Sequence, residues 1–373
     1  MTPRLAVPAW GAASWVACPY WPTALQNSVD EQTPDRIFGK CAHWVASRML
    51  NSEAVNLGQP IPGYTGQEVT LEMVSAARVF VDDVVATMHG QPLYVEQQLT
   101  MIGRLEPVGV VRPDAFGWVT GSQLNVYEFK AGREYVSAFS NWQMILYVRA
   151  ILDTWQIDGW REQGITVCFR VAQPRNYDRE GQVREWKVRA SDLRAYWNIL
   201  ENAAEEATSP NPVARTGVSQ CRRCPGRVRC STFQRHAYME ASHVGDGMPF
   251  DLDGNALGLE LRALEDARAI LDARITGLEQ EAAAKINKGE IVNGYALESG
   301  YSRRYWTIPD HAVSTLGALY GVKTTVEKPV TPKQAQDAGL PAEYVNRYSD
   351  RARTEAKLIR VENSQVRKAF GRN

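Results

Sequence analysis

The chain has 373 residues, 44% hydrophobic and 23% charged, with 42 basic and 42 acidic side chains balancing to zero. That composition excludes a disordered chain and a protein that coats nucleic acid non-specifically, while leaving room for a locally basic groove in one elaborated domain or two. No run of eighteen apolar residues is present and Met1–Trp10 lacks a signal peptide's apolar segment, so no membrane contact and a cytoplasmic location are expected.

Residues 12–25 read as a short helical turn stopped at Pro19, with Cys18 at the stop. Thr33-Pro34-Asp35 starts a helix that runs to about Asn51, where Ile37, Cys41, Trp44, Val45 and Met49 form a buried stripe with His43 beside it. Residues 52–66 form a loop, and a second helix spans 68–89. Strands are expected over 93–100, 113–120 and 124–130, the last two joined by the turn at Thr120-Gly121-Ser122. A helix over 137–153 buries Phe139, Trp142, Ile145, Leu146, Val148 and Leu152. Strands at 165–173 and 184–188 follow, then a helix capped by Ser191 that ends near Thr208. This order predicts an α/β fold, a mixed central sheet flanked by helices.

After Ser209-Pro210-Asn211-Pro212 come Cys221, Cys224 and Cys230, and the character of the chain changes near residue 245. The expected division is therefore a core over 1–245 and an appendage over 246–373. Residues 256–288 read as one long helix with Leu257, Leu261, Leu264, Leu271, Ile275, Leu278 and Ala282 at alternating three and four spacing, interrupted by Arg268. Such a helix suits a two-helix arm, a short coiled coil, or a helix packed on its own domain. Residues 291–306 resemble a small hairpin in which aromatics alternate with Arg303 and Arg304, fit for nucleic-acid contact or for an exposed amphipathic ribbon. The basic run from Arg347 onward suits a solvated face or a nucleic-acid contact.

Chemistry concentrates in two constellations. Glu128 and Lys130 lie two apart on one strand and so share a face, while Tyr127 and Phe129 point the other way. A hairpin that brings Asp114 beside them assembles two carboxylates and an ammonium, which suits a divalent metal and phosphodiester hydrolysis, or a solvated edge-strand salt bridge. Gln143 and Tyr147 stand one turn apart on the next helix. The second constellation is Cys221-x2-Cys224-x5-Cys230 with Cys18 far upstream, a set that binds zinc or an iron–sulfur cluster. Cys41 and Cys168 stand in apolar surroundings and read as buried fillers.

Taken in order, His43, Asp114, Glu128-x-Lys130 and Gln143-x-x-x-Tyr147 resemble the RecB-like branch of the PD-(D/E)xK nuclease superfamily. The split cysteines resemble the four-cysteine iron–sulfur arrangement of CRISPR-associated RecB-like exonucleases and AddB-type helicase–nuclease subunits. The Trp15-Val-Ala-Cys18-Pro19 start and the segment from Gly294 to Trp306 are similar to a phage and prophage family of uncharacterised RecB-like proteins. The resemblance covers nearly the whole chain, most strongly 12–45, 93–150 and 219–232. It implies a restriction-endonuclease-like fold with an iron–sulfur clip and a helical, small-hairpin appendage.

It further implies a metal-dependent DNA nuclease, an exonuclease on ends or single strands, working with phage recombination or replication proteins in the host cytoplasm. A non-catalytic DNA-binding scaffold that keeps the fold is the alternative. By the resemblance, Asp114, Glu128 and Lys130 are catalytic, and His43, Asp114, Glu128 and the Phe129 carbonyl hold Mg²⁺ or Mn²⁺. Lys130 serves the attacking water and the phosphate, Gln143 and Tyr147 position DNA, and Glu96 is a weaker supporting acid. Cys18, Cys221, Cys224 and Cys230 hold a [4Fe–4S] cluster, with zinc the lesser alternative, and Arg222 and Arg223 are weaker DNA contacts. One departure stands out: the usual Gly-x-x-Asp turn before the first acid is replaced by Gly109-Val-Val-Arg-Pro-Asp114.

Overall fold

Apolar residues recur along the strands between residues 94 and 189, and these strands build the central sheet of the unit Met1–Arg274. The computed structural model describes residues 7–26, 33–176, 180–242, 254–301, 305–324, 330–350 and 353–360. Its first seven strands are β1 (Tyr94–Val95), β2 (Leu99–Thr100), β3 (Val110–Val111), β4 (Ala115–Thr120), β5 (Gln123–Phe129), β6 (Thr166–Ala172) and β7 (Val183–Arg189). Five of them form one mixed sheet in the order β1-β4-β5-β6-β7. β5 and β6 run parallel and every other neighbouring pair is antiparallel.

The helices of this unit are α1 (Ala12–Ala17), α2 (Trp21–Gln26), α3 (Pro34–Leu50), α4 (Leu71–Met88), α5 (Trp142–Thr154), α6 (Arg194–Ala207), α7 (Val218–Cys221), α8 (Ser231–Ser242) and the start of α9 (Gly254–Asn287). They cover both faces of the sheet. Leu124 and Val126 of β5 join Trp15 of α1, Ile145 and Val148 of α5, and Trp197 and Leu200 of α6 in one core. Tyr127 and Phe129 join Cys41 and Val45 of α3 and Phe80 and Val84 of α4 in the other. A strand buried on both faces has no solvent side, so the polar Glu128 in its α5-facing series needs partners. Cys41 and Cys168 are fully buried, as expected of fillers. Among the described residues no helix is long and apolar enough to cross a membrane.

Local chemistry sets the ends of the elements. The Thr33 side chain caps α3 by accepting from the Arg36 amide, and Thr70 caps α4 by accepting from Met73. The expected strand over 93–100 is broken instead, because Glu96 takes a left-handed φ of 50° and sends β2 to pair with β3 outside the main sheet. The helix expected from 137 begins at Trp142, after Ser140 with φ 53°, and Asn141 caps it through the Met144 amide. Phe139, expected to be buried on that helix, is 65% exposed. Ser191 does not cap α6, which starts at Arg194 after a short 3-10 turn, Ala190–Leu193.

The chain divides into two units, Met1–Arg274 and Ile275–Asn373, so the division falls inside α9 rather than at the change of composition near residue 245. In the first unit α9 packs through Ile270 and Ala273 against Phe233 and Ala237 of α8 and against Cys221. Leu257, Leu261 and Leu264 stay exposed, so the buried face is not the one that the leucine spacing marks.

The second unit corrects the expected hairpin over 291–306. Its strands are β8 (Tyr295–Tyr301), β9 (Tyr305–Trp306), β10 (Ser349–Asp350) and β11 (Arg353–Arg360), and its helices are α10 (Asp310–Leu319), α11 (Pro332–Asp337) and α12 (Ala342–Tyr348). β8 pairs with β11 and β9 with β10, so the 291–306 segment finds its partner about fifty residues downstream. Alternation marks a strand but does not identify its partner. Ala335, Leu340 and Val345 form a small core here, roofed by Trp306, whose indole donates to the Val330 carbonyl at 2.8 Å. Arg303, Arg304, Arg351, Arg367, Lys368 and Arg372 lie outside the described residues.

Candidate metal centre

Register brings the predicted acids together. Ala115 pairs with Tyr127, so Asp114 arrives level with the end of β5. Its backbone carbonyl accepts from the Glu96 amide at 3.1 Å, and its Oδ2 accepts from the Phe129 amide at 2.6 Å. Its Oδ1 lies 3.0 Å from Nδ1 of His43. α3 presents His43 from beside its buried stripe, with the imidazole packed on the Phe129 ring at 5.1 Å. The longer approach Gly109–Asp114 does not displace the acid. Gly109 (φ 76°) turns the chain and Val110–Val111 pairs with Leu99–Thr100, so the added length is taken up in a side ribbon.

Glu128 and Lys130 project together toward α5, as the alternation predicts. Glu128 is 3% exposed, and its Oε1 meets Lys130 Nζ at 2.5 Å and accepts from Gln143 Nε2 at 3.1 Å. Lys130 also donates to Gln143 Oε1 at 3.1 Å. Tyr147 is buried and reaches the site through Gln143, whose Nε2 donates to its hydroxyl at 2.5 Å. Gln143 thus locks acid and ammonium in one arrangement. Glu128 Oε2 is buried and has no hydrogen-bond partner.

Electrostatics follow from this packing. Burial pushes Asp114 up, but His43, the Phe129 amide and Lys130 outweigh it and hold the carboxyl below its ordinary range. Burial lowers His43 and Lys130, but the surrounding carboxylates reverse this and raise both, so Lys130 is a cation at neutral pH. Glu128 is pushed up by burial and by Asp114, against the pull of Lys130. Glu96 is raised to about 7 by burial and by Asp114.

The residues fit a hard divalent cation. Among the described residues, His43, Glu96 and Asp114 each offer a ligand atom, all within 4.8 Å of one another. An orphaned buried carboxylate oxygen on Glu128 beside them is costly unless a cation or water meets it. Glu96, the weaker candidate in the sequence, therefore stands in the ligand cluster itself, while Glu128 shares its other oxygen with Lys130 and Gln143. Phe129, expected as a carbonyl ligand, holds Asp114 through its amide.

Protonation gives a prediction for chelated protein. Glu96 binds its proton up to about pH 7 when folded but releases it near 4.5 when unfolded, so the folded state holds the extra proton in between. That contribution to stability is lost as pH rises toward 7, and the raised His43 acts in the same direction. The melting temperature of metal-free protein is expected to fall between about pH 5 and 8, with Mn²⁺ restoring more at the upper end. A flat or rising profile by scanning fluorimetry, or an unchanged slope in Glu96→Gln, counts against this.

The four cysteines also converge. Cys18 follows α1, Cys221 ends α7, Cys224 sits on the turn beyond, and Cys230 precedes α8. All four line one cavity with Trp21, Ala24, Arg215 and Phe233. Cys18 Sγ accepts from the Arg215 amide at 3.3 Å and Cys230 Sγ from the Phe233 amide at 3.5 Å. Gly226 lets this turn lie on α2, because a Cβ there would stand 2.5 Å from that of Ala24. Burial and the neighbouring cysteines push the Cys224 thiol up to about 12, so this sulfur becomes a thiolate only when a metal draws off its proton. Arg222 and Arg223 are exposed on the same turn, and Arg223 forms an ion pair with Glu134.

Sequence reasoning missed the frame around the segment that leaves Lys130. Buried Gln173, at the end of β6, donates to the carbonyls of Gly132 (3.0 Å) and Glu134 and accepts from the Val136 amide at 3.1 Å. Buried Arg184 donates to Gln173 Oε1 at 2.9 Å and to the Val136 carbonyl at 3.3 Å. The available signal was a lone amide closing an apolar strand.

The chain belongs to a family described as protein of unknown function (DUF2800), whose model matches residues 6–339. No curated protein matches it.

Proposed function

We propose that this member of the family is a divalent-metal-dependent deoxyribonuclease with a restriction-endonuclease-like core of the RecB-like type, clipped by a [4Fe–4S] cluster and acting in phage recombination or replication. One observation carries the reading: two carboxylates, an imidazole and a locked ammonium meet at the end of β5, with one buried carboxylate oxygen left unpaired. A salt bridge on a solvated edge strand does not fit a central strand whose Glu128 is 3% exposed.

Phosphodiester hydrolysis adds the oxygen of water to phosphorus and breaks one ester P–O bond, leaving a phosphate monoester and an alcohol. Mg²⁺ or Mn²⁺ held by His43, Asp114, Glu128 and Glu96 would polarise the phosphoryl group and acidify the attacking water. The chain supplies the rest. Lys130 is charged and its ammonium is held by Glu128 and Gln143, so it acts as a fixed cation where negative charge grows and not as the base. Gln143, itself held by Tyr147, prevents Lys130 from swinging away when a phosphate competes for it. The His43–Asp114 contact fixes the orientation of the imidazole.

For the cysteines, four thiols brought to one cavity from two distant stretches of the chain support a cluster. Protein purified without oxygen is expected to be coloured and to degrade end-labelled DNA with Mn²⁺ but not with chelator. Colourless zinc protein would remove the cluster. DNA bound but never cut would favour the scaffold reading.

A further inference from the structure

Between Lys130 and α5 runs the segment 131–141, which exposes two aromatic side chains: Tyr135, whose hydroxyl donates to Glu180 at 2.7 Å and whose ring lies against the Arg184 guanidinium, and Phe139. Phe139 is 65% exposed, and its ring stands edge-on against Trp186 at 5.2 Å. Trp186 in turn stacks on the buried Phe169 at 5.0 Å and meets Tyr196 at 6.1 Å. The ring is thus supported from beneath by the core.

Its backbone is equally fixed. The Phe139 amide donates to Ser137 Oγ at 3.0 Å, and Asn141 Nδ2 donates to the Ser137 carbonyl at 2.9 Å. Ser140 holds a left-handed conformation, with its hydroxyl 2.8 Å from that of Tyr196. A non-glycine residue in that conformation is strained, and such strain persists where the surroundings enforce it. Gln173 and Arg184 pin the first half of the segment as described. A rigid, exposed phenyl ring is a preorganised contact, because little freedom remains to be lost when something covers it.

The position of the ring identifies the occupant. Glu128 aligns with Val171 and Val171 with Arg184; Trp186 lies two residues along from there on the same face of the sheet. Two strand spacings and two residues place Trp186 about 12 Å from Glu128, a distance that a strand lying in the metal centre spans within a few nucleotides. The exposed neighbours in the segment include Arg133, Glu134 and Tyr135, whose ring is met by the Arg184 guanidinium, so Phe139 is not part of a contiguous apolar patch of the kind that protein partners cover. An exposed, rigidly held aromatic beside a phosphodiester site suits a nucleobase, and only an unpaired base offers its face for stacking.

We propose that Phe139 is a stacking platform for an unpaired base of the strand in the site, making single-stranded DNA the preferred substrate. This rests on the nuclease reading above. The test is fluorescence anisotropy of labelled oligothymidylate and of a blunt duplex, in chelator, with wild type and the Phe139→Ala, Phe139→Leu and Phe139→Trp variants, all checked by thermal melting. Loss of one stacked base is expected to weaken single-strand binding about 5- to 150-fold in Phe139→Ala. Phe139→Leu should behave like alanine, Phe139→Trp should restore binding, and duplex affinity should stay level. With Mn²⁺, Phe139→Ala is expected to raise KM for single strands far more than it lowers kcat.

Unchanged single-strand affinity in Phe139→Ala, or full binding by Phe139→Leu, overturns the platform while leaving the nuclease reading intact. Phe139-dependent binding by a wild-type protein that never cuts DNA keeps the platform and overturns the nuclease reading.

Discussion

Lys130→Ala is expected to slow single-turnover cleavage of end-labelled DNA with Mn²⁺ by about 10²–10³-fold, the usual loss when one fixed group that stabilises transition-state charge is removed. The substitution also leaves Glu128 buried without its cation. Removing one partner of a buried pair costs about 3–5 kcal/mol, whereas replacing both is often near neutral. Lys130→Ala should therefore melt lower than wild type, and Lys130→Met with Glu128→Gln should recover much of the loss while staying inactive. Glu128 is already raised by burial and would be raised further, so the deficit of Lys130→Ala should deepen with rising pH. Wild-type cleavage by Lys130→Ala would place the activity elsewhere, in a contaminant or in another site. A double variant no more stable than the single one would mean that the Glu128–Lys130 pair is not the buried unit described.

The second large effect concerns the cysteines. Cys18→Ser or Cys221→Ser is expected to abolish the visible absorbance of the cluster and to lower stability by up to about 5 kcal/mol. That is the chain-entropy value for releasing a cross-link across about 200 residues. It is an upper bound, because Trp15 is fully buried and keeps the N-terminal segment packed without the sulfurs. One cluster needs all four ligands, so the two substitutions together should cost little more than either alone. Absorbance spectra and denaturant titration check both statements. Additive losses, or a colourless protein stable in both variants, would mean that the four sulfurs do not share one group.

The elements were largely legible in the sequence because they rest on local rules. Thr33-Pro34 marked the start of α3, and the alternation in 124–130 placed Glu128 and Lys130 on one face and Tyr127 and Phe129 on the other. What local pattern could not carry was partner choice and strain. Residues 291–306 alternate like one arm of a hairpin, yet β8 and β9 pair with strands about fifty residues away. Phe139 occurs at helical spacing from Trp142, but the left-handed Ser140 and the Asn141 cap hold it out of the helix. The leucines of α9 repeat at three and four spacing on either side of Arg268, yet Ile270 and Ala273 make its buried contacts in the first unit because they meet Phe233. Within the site, residue identities were readable but the division of labour was not. Only the folded register shows Glu96 beside His43 and Asp114, and Gln143 between acid and ammonium.

Asp114 is held from two directions, by the Glu96 amide on its carbonyl and by the Phe129 amide on its carboxylate. Its position is therefore indexed to the sheet and not to the turn that delivers it. Upstream length becomes a free variable: residues can be inserted between Gly109 and Asp114, folded aside as a ribbon, and leave the acid where it was. A search for related sites by fixed spacing would pass over such chains, whereas one that asks which acid opens the strand opposite Glu-x-Lys would find them.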